Sequence, residues 1–477
     1  MKDPGRIAPL AEHGGGASRG IDQVTRSSHD IGRFGRMFPD LAPNQTDLAA
    51  LEDLARSMFP GASSAQADPV EALEPGENPD VAAGYTYLGQ FIDHDITFDP
   101  VSSLERQNDP AALRSFRTPR FDLDSLYGSG PIASPYLYDQ EDPVKLLVGH
   151  NLGADEEPED LPRNQQGRAI VTDPRNDVHV IVSQLHLAFI RFHNAIVDRL
   201  RAQFLPNIDL FTEAQRLTRW HYQWVVVEDF LRSLVGSDIV DDILLVDPAT
   251  GARTVELRFF RWEDEPFIPV EFSAAAFRFG HSQVRSRYRL NRDGELIHIL
   301  VPSLTPNPFQ HLGGFRPLPK GWRIEWDLFF AMGGSSPQLS RRIDTKMTGP
   351  FARLPVAVDP ERRSLALLDL LRGRALGLPS GQAVAAAMGA TVADADLRLH
   401  GDTPLWYYLL REAEIVEEGR RLGPAGGQIV AEVLLGMLAD DPASFLHASP
   451  TWAPELPGEQ AGHFTMADLL RFADPRL

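Results

Sequence analysis

The stretch from Val178 to Phe204 carries apolar residues at helical spacing over several turns without a single Gly or Pro. A run free of both breakers, with an apolar period near 3.6, is an amphipathic helix. A second run, Phe211 to Leu234, sets Trp220 and Trp224 at i, i+4, the spacing of neighbours on one helix face. Shorter helical patterns recur over Ser364–Arg372, Gly381–Met388, Leu405–Arg421 and Gly427–Leu438. Strand signals are few, and Thr254–Phe260 and Ile297–Val301 are the clearest. The expectation is a mainly α-helical body over residues 81–477, with minor β and long irregular connectors. Residues 1–80, rich in Gly, Pro, Ser and Asp, read as a partly extended N-terminal arm. The acidic stretch Gly153–Gly167 reads as a solvated loop.

Charge and composition remove several function classes. There are 66 Asp plus Glu against 46 Lys plus Arg, a formal net charge of −20. Nucleic-acid binding needs clustered cations to release counterions, so this balance argues against it. The absence of cysteine excludes disulfides, thiolate metal sites and a cysteine nucleophile together. A metal would have to sit on His, carboxylate, hydroxyl or carbonyl groups. The start, Met1 to Arg6, runs into Gly14-Gly15-Gly16 with no apolar stretch of signal-peptide length. No run of about 18 apolar residues is present either. A cytoplasmic location is the default expectation, and export by another route stays open.

Four segments carry polar groups in arrangements that chemistry uses. In Gln90-Phe91-Ile92-Asp93-His94-Asp95, Gln90 and His94 are four apart and share a helix face. The flanking carboxylates can tune or orient the histidine, or serve a separate metal; a plain polar face is an equal reading. In Thr118-Pro119-Arg120-Phe121-Asp122-Leu123-Asp124, alternating carboxylates supply hard oxygens of the kind calcium prefers. EF-hand spacing is lacking, and a helix N-cap by Asp122 or Asp124 is the simpler alternative. Arg175, in Asp173-Pro174-Arg175-Asn176-Asp177, stands at the entrance of the long helix that holds His186 and His193. Those two histidines, about 10 Å apart along the axis, are too distant to share a metal. His281 follows Phe277-Arg278-Phe279-Gly280, where glycine permits a flat group to approach the backbone.

In this order, the segments resemble the animal-type haem peroxidase (peroxidase–cyclooxygenase) superfamily, and most of all its bacterial soluble members. Further along, Leu370-Leu371-Arg372-Gly373, Gly377-Leu378-Pro379-Ser380-Gly381, Pro404-Leu405-Trp406-Tyr407-Tyr408 and Phe464 to Leu470 fit as well. The resemblance implies haem b as cofactor, with His281 as axial ligand and Arg278 and Arg372 pairing with the propionates. His94 and Arg175 would be the distal histidine and arginine, and Gln90 would orient pocket water or a halide. Asp95, Thr118, the carbonyl of Arg120, Asp122 and Asp124 would hold calcium. The implied activity is reduction of hydrogen peroxide with oxidation of small organic donors or easily oxidised halides and pseudohalides. Low counts of Met (8) and Tyr (9) are compatible with a chain exposed to its own oxidants.

Three positions depart from the family's pattern. A glutamate that commonly esterifies the haem is replaced by Val178, and a methionine that forms a sulfonium link in one branch is replaced by His179. Asp93 matches the other ester-forming carboxylate, so at most one ester of this kind is expected. The asparagine that usually contacts the axial histidine is replaced by Asp369. A fatty-acid dioxygenase of the same superfamily would need a tyrosine where this chain has Arg278. A non-catalytic haem-binding protein would have no use for His94, Arg175 and Gln90 together. A haem-free hydrolase would need a closely spaced ligand set that these histidines do not form.

Overall fold

The computed structural model describes residues 32–59, 76–97, 114–115, 119–150, 159–203, 209–263, 265–301, 307–354, 363–397, 401–460 and 462–477. Helices dominate, around one contiguous apolar core. Strand β1 (Gly32–Gly35) pairs in parallel with β3 (Ile268–Pro269), and α1 (Leu48–Ser57) follows it. Within the expected arm, this segment is tied to the body by long-range bonds. Arg36 donates to the carbonyls of Leu376 and Gly377 at 2.7 and 2.9 Å, and buried Glu271 accepts the backbone N–H groups of Met37 and Phe38.

Strand β2 (Glu77–Ala82) pairs antiparallel with β4 (Leu339–Arg341) and leads into α2 (Gly84–Ile96). At the first residue of α2, only glycine fits. A Cβ on Gly84 would lie 2.5 Å from the Phe329 carbonyl oxygen, which accepts the Gly84 N–H at 2.8 Å. This contact fixes where α2 starts and how it enters the core.

The two long periodic runs fold as α3 (Val180–Ala202) and α4 (Leu210–Trp224). By length and composition α3 could cross a bilayer, but 83% of its apolar window is buried inside the body. Its histidines are both buried: His186 meets the amide of Asn176 at 3.0 Å, and His193 meets the Tyr127 hydroxyl at 3.0 Å. The second run does not stay α-helical to Leu234. Residues Val225–Leu231 form a π-helical turn, which inserts a residue into the period. Both Asp229 and Phe230 are thereby buried.

The remaining main helices are α5 (Leu365–Ala375), α6 (Leu405–Val416), α7 (Pro424–Asp440) and α8 (Met466–Ala473). Helix α6 stops short of the expected Arg421 because Glu418 and Gly419 turn left-handed, with φ of 53° and 71°. The expected strand Thr254–Phe260 is only Arg253–Val255. Buried Glu432 on α7 takes the N–H groups of Arg258, Phe259 and Phe260 at 2.7–3.0 Å, leaving none for a ladder. The other expected strand is Leu296–His298; beyond it Ile299 donates to Ser286. Of the acidic stretch, residues 151–158 lie outside the described ones, and Asp160 corrects the expectation of a solvated loop. It is buried and accepts from Arg163, Leu161 and Leu318.

Candidate active site

Four elements converge on one cavity of about 720 Å³. Helix α2 contributes Gln90, Asp93 and His94, and the 3-10 turn Pro174–Asp177 contributes Arg175. His179, the N-cap of α3, is on the wall beside exposed Val178. The 3-10 helix Ala276–His281 contributes Arg278 and His281. Phe277, Phe279, Val284, Leu300 and Phe351 supply apolar wall.

The hydrogen bonds fix the tautomers. Asn176 Oδ1 lies 2.8 Å from His94 Nδ1, and Asn176 Nδ2 lies 3.0 Å from His186 Nδ1. An amide oxygen only accepts and an amide nitrogen only donates. His94 therefore carries its proton on Nδ1, and its Nε2 presents a bare lone pair. Burial, then the Arg175 guanidinium, pushes His94 down to about 4, so it is neutral at pH 7.

The same reasoning applies to His179. Its Nδ1 accepts the Val182 N–H at 3.3 Å, so Nε2 carries the proton and donates to Gln90 Oε1 at 2.7 Å. Burial, with His94 nearby, pushes His179 down to about 3. With Gln90 Oε1 occupied in this way, the amide's N–H₂ end is left to serve the cavity.

Arg175 is held from below. Asp173, itself buried, accepts from its backbone N–H at 2.9 Å, its Nε at 3.1 Å and one terminal nitrogen at 2.7 Å. That nitrogen also reaches the carbonyls of His94 and Thr97, while the other lies 4.0 Å from Asp93 Oδ2. The arginine is thus locked to the C-terminal turn of α2, beside His94.

On the third element, His281 Nδ1 lies 2.6 Å from Asp369 Oδ2, and Arg278 donates to Asp369 Oδ1 at 3.1 Å. Burial alone would raise the Asp369 carboxyl, but His281, Arg278 and Arg372 together hold it below its usual range. An ionised Asp369 only accepts, so His281 donates a proton from Nδ1, and Nε2 is the ring nitrogen left to meet a ligand. Arg278, expected at a propionate, is engaged by Asp369 and by the Ser273 carbonyl at 3.0 Å. Half-buried Arg372 is on α5 near Asp369 and does not border the cavity among the described residues.

Behind α2, carboxylate oxygens of Asp95, Asp122 and Asp124 lie within 4.8 Å of one another. Leu123 between the two loop residues adopts φ 55°, a left-handed conformation rare for leucine. Thr118 lies outside the described residues, and the Arg120 guanidinium faces Asp441 at 3.8 Å. Sequence reasoning missed Asn176 and the orienting role of His179. The first adjoins Arg175 in a motif already singled out.

A flat metallomacrocycle fits what is present. One imidazole, His281, has its Nδ1 backed by a carboxylate and its Nε2 free of any carboxylate partner, the usual arrangement of a metal-bound histidine. Apolar walls surround it, and a Cβ on Gly280 would meet nothing within 4 Å.

Comparison with known proteins agrees. The model of the animal haem peroxidase family matches residues 105–401. The chain is 25% identical over 229 residues to the dual oxidase of Drosophila melanogaster, covering 44% of this chain and 13% of that one. The chain spans between 13% and 36% of the length of such curated relatives. In structure it resembles peroxidase A from Dictyostelium discoideum, with a TM-score of 0.64, 15% identity and 94% of both chains covered. A fatty acid alpha-dioxygenase from Oryza sativa gives 0.63, also at 15% identity, over 94% of this chain and 82% of that one. Likeness at that identity shows the fold alone. With the family match spanning well over half its length, the chain belongs to the animal haem peroxidases.

Proposed function

We propose that this protein is a haem peroxidase that reduces hydrogen peroxide and oxidises small organic donors or easily oxidised halides and pseudohalides. The observation that carries the reading is the shared cavity: a neutral His94 with bare Nε2, beside Arg175, borders the same space as His281, whose Nδ1 is held by Asp369. Haem, when bound, would supply the redox chemistry, and His281 is the residue that would hold it. His94 Nε2 would take a proton from peroxide and return it to the departing oxygen. Arg175 stabilises negative charge that develops on that oxygen. The Gln90 amide orients peroxide, water or a halide through its N–H₂ group. Arg278, bonded to Asp369, stands where a dioxygenase of the superfamily would need its tyrosine, which disfavours lipid oxygenation. The test is an absorption spectrum of purified holoprotein: a Soret band that shifts on peroxide addition is expected, and one indifferent to peroxide refutes the reading.

Three results should accompany it. Calcium at Asp95, Asp122 and Asp124 would offset two of the three negative charges clustered behind His94. Asp122→Ala should then lower both thermal stability and haem retention; unchanged values after exhaustive chelation of the wild type would refute a calcium site.

Asp369 makes His281 a more basic ligand than an asparagine would and favours ferric over ferrous iron. A redox titration of Asp369→Asn should show a raised ferric/ferrous potential, tempered by the Arg278 charge already paired with Asp369. An unmoved potential removes the argument.

Asp93 borders the cavity, and Val178, which lines the same cavity, has no group able to form an ester. Peroxide turnover should produce one haem–peptide adduct, at Asp93, and Val178→Glu should gain a second. Mass spectrometry of digested protein decides: haem released intact, or an adduct elsewhere, contradicts this. With a single link, chloride should be a poor substrate and iodide or thiocyanate good ones.

A further inference from the structure

Tyr85, in the first turn of α2, borders the same cavity as His94 and His281 but has no part in the proton handling above. Its hydroxyl donates to Asp229 Oδ1 at 2.5 Å. The other oxygen of that carboxylate accepts the Met466 N–H at 2.7 Å, at the start of α8. Asp229 is buried and stands in the π-helical turn, a backbone irregularity found frequently at functional sites. Burial pushes its carboxyl up to about 6, which leaves it ionised at pH 8. The other cavity tyrosine, Tyr87, meets the ring of Tyr288 rather than a carboxylate.

A half-buried phenol that lost an electron alone would become a cation with little water to solvate it, which is costly. A carboxylate at hydrogen-bond distance removes that cost by taking the proton as the electron leaves. We propose that Tyr85 is a one-electron redox site with Asp229 as its built-in proton acceptor. The inference rests on the peroxidase reading, since the oxidant is haem oxidised by peroxide. In the forward step, one electron passes from the phenol to that haem, the phenolic O–H bond breaks, and the proton passes to Asp229 Oδ1. A neutral phenoxyl radical and a protonated carboxyl result. A one-electron donor reverses the step, and Asp229 returns the proton. Because Oδ2 keeps its bond to Met466 throughout, no backbone has to move. Tyr85 would hold one of the two oxidising equivalents that each peroxide delivers.

The experiment is electron paramagnetic resonance of ferric holoprotein frozen shortly after peroxide addition at pH 8, with the Soret band recorded on the same samples. The expected result is a tyrosyl signal that narrows when ring-deuterated tyrosine is incorporated. It should be lost in Tyr85→Phe, which keeps the ring and its contact with Phe330, and retained in Tyr87→Phe. Asp229→Asn should weaken it; if that variant fails to bind haem, Tyr85→Phe decides alone. A tyrosyl signal unchanged in Tyr85→Phe overturns the proposal, as does a wild type whose Soret band shifts without any tyrosyl signal. A Soret band that ignores peroxide overturns the peroxidase reading and the redox role with it.

Discussion

Replacing Asn176 with leucine should slow the bimolecular reaction with peroxide by about 10–100-fold, against about 10²–10⁴-fold for His94→Leu. His94 can act as base only while Nε2 is bare, and the Asn176 oxygen at 2.8 Å holds the proton on Nδ1. His186, accepting from the same amide, prevents it from flipping. Leucine leaves Nδ1 without an acceptor in a buried place, so the tautomer with the proton on Nε2 gains population and the base is lost. Stopped-flow rates at matched haem content measure this, and a wild-type rate in Asn176→Leu would show that the amide does not set the tautomer. In the wild type the rate should fall as pH drops through about 4, where His94 becomes charged and can no longer accept.

Arg163→Met should cost about 3–5 kcal/mol of stability, the usual penalty for removing one partner of a buried ion cluster. The Arg163 side chain is 8% exposed, between Asp160 at 2% and Asp177 at 3%. Its fork reaches both carboxylates, at 2.7–2.8 Å to Asp177 and 2.8 Å to Asp160. Methionine fills similar volume but leaves two buried negative charges facing each other. Asp177 also closes the turn that carries Arg175 and Asn176, so the peroxide reaction should slow in parallel. Denaturant unfolding tests the first claim: a loss below about 1 kcal/mol would mean that the cluster behaves like an exposed pair.

The long helices were legible because apolar period and the absence of Gly and Pro are local properties. Strand Thr254–Phe260 was misread because its competitor is not local: Glu432, far along the chain, takes the N–H groups a ladder would use. The π-helical turn was invisible for another reason. Val225-Val226-Val227 is apolar on every side and suits either period, so the sequence does not say where Glu228 and Asp229 will face. Gln90, Asp93, His94, Arg175, Arg278 and His281 border one cavity, with Asp369 behind His281, yet nothing in their separations places them together. Their order, as a set of motifs, did. Arg372 is off that wall, and Thr118 lies outside the described residues. His179 was weighed only as the absence of a sulfur, whereas its work is to cap α3 and hold Gln90. A cap that also serves a pocket has no sequence signature beyond its position.

The bond from the Met466 N–H to Asp229, together with Phe464 and Phe472 against Phe192 on α3, has a consequence for how the protein is made. A polypeptide leaves the ribosome N-terminus first and its early parts begin folding as they emerge. Helix α2 packs on α3, and α3 on α8, so the scaffold that holds His94 lacks a supporting layer until residues beyond 460 are translated. Haem loading should accordingly follow, rather than precede, the synthesis and docking of α8.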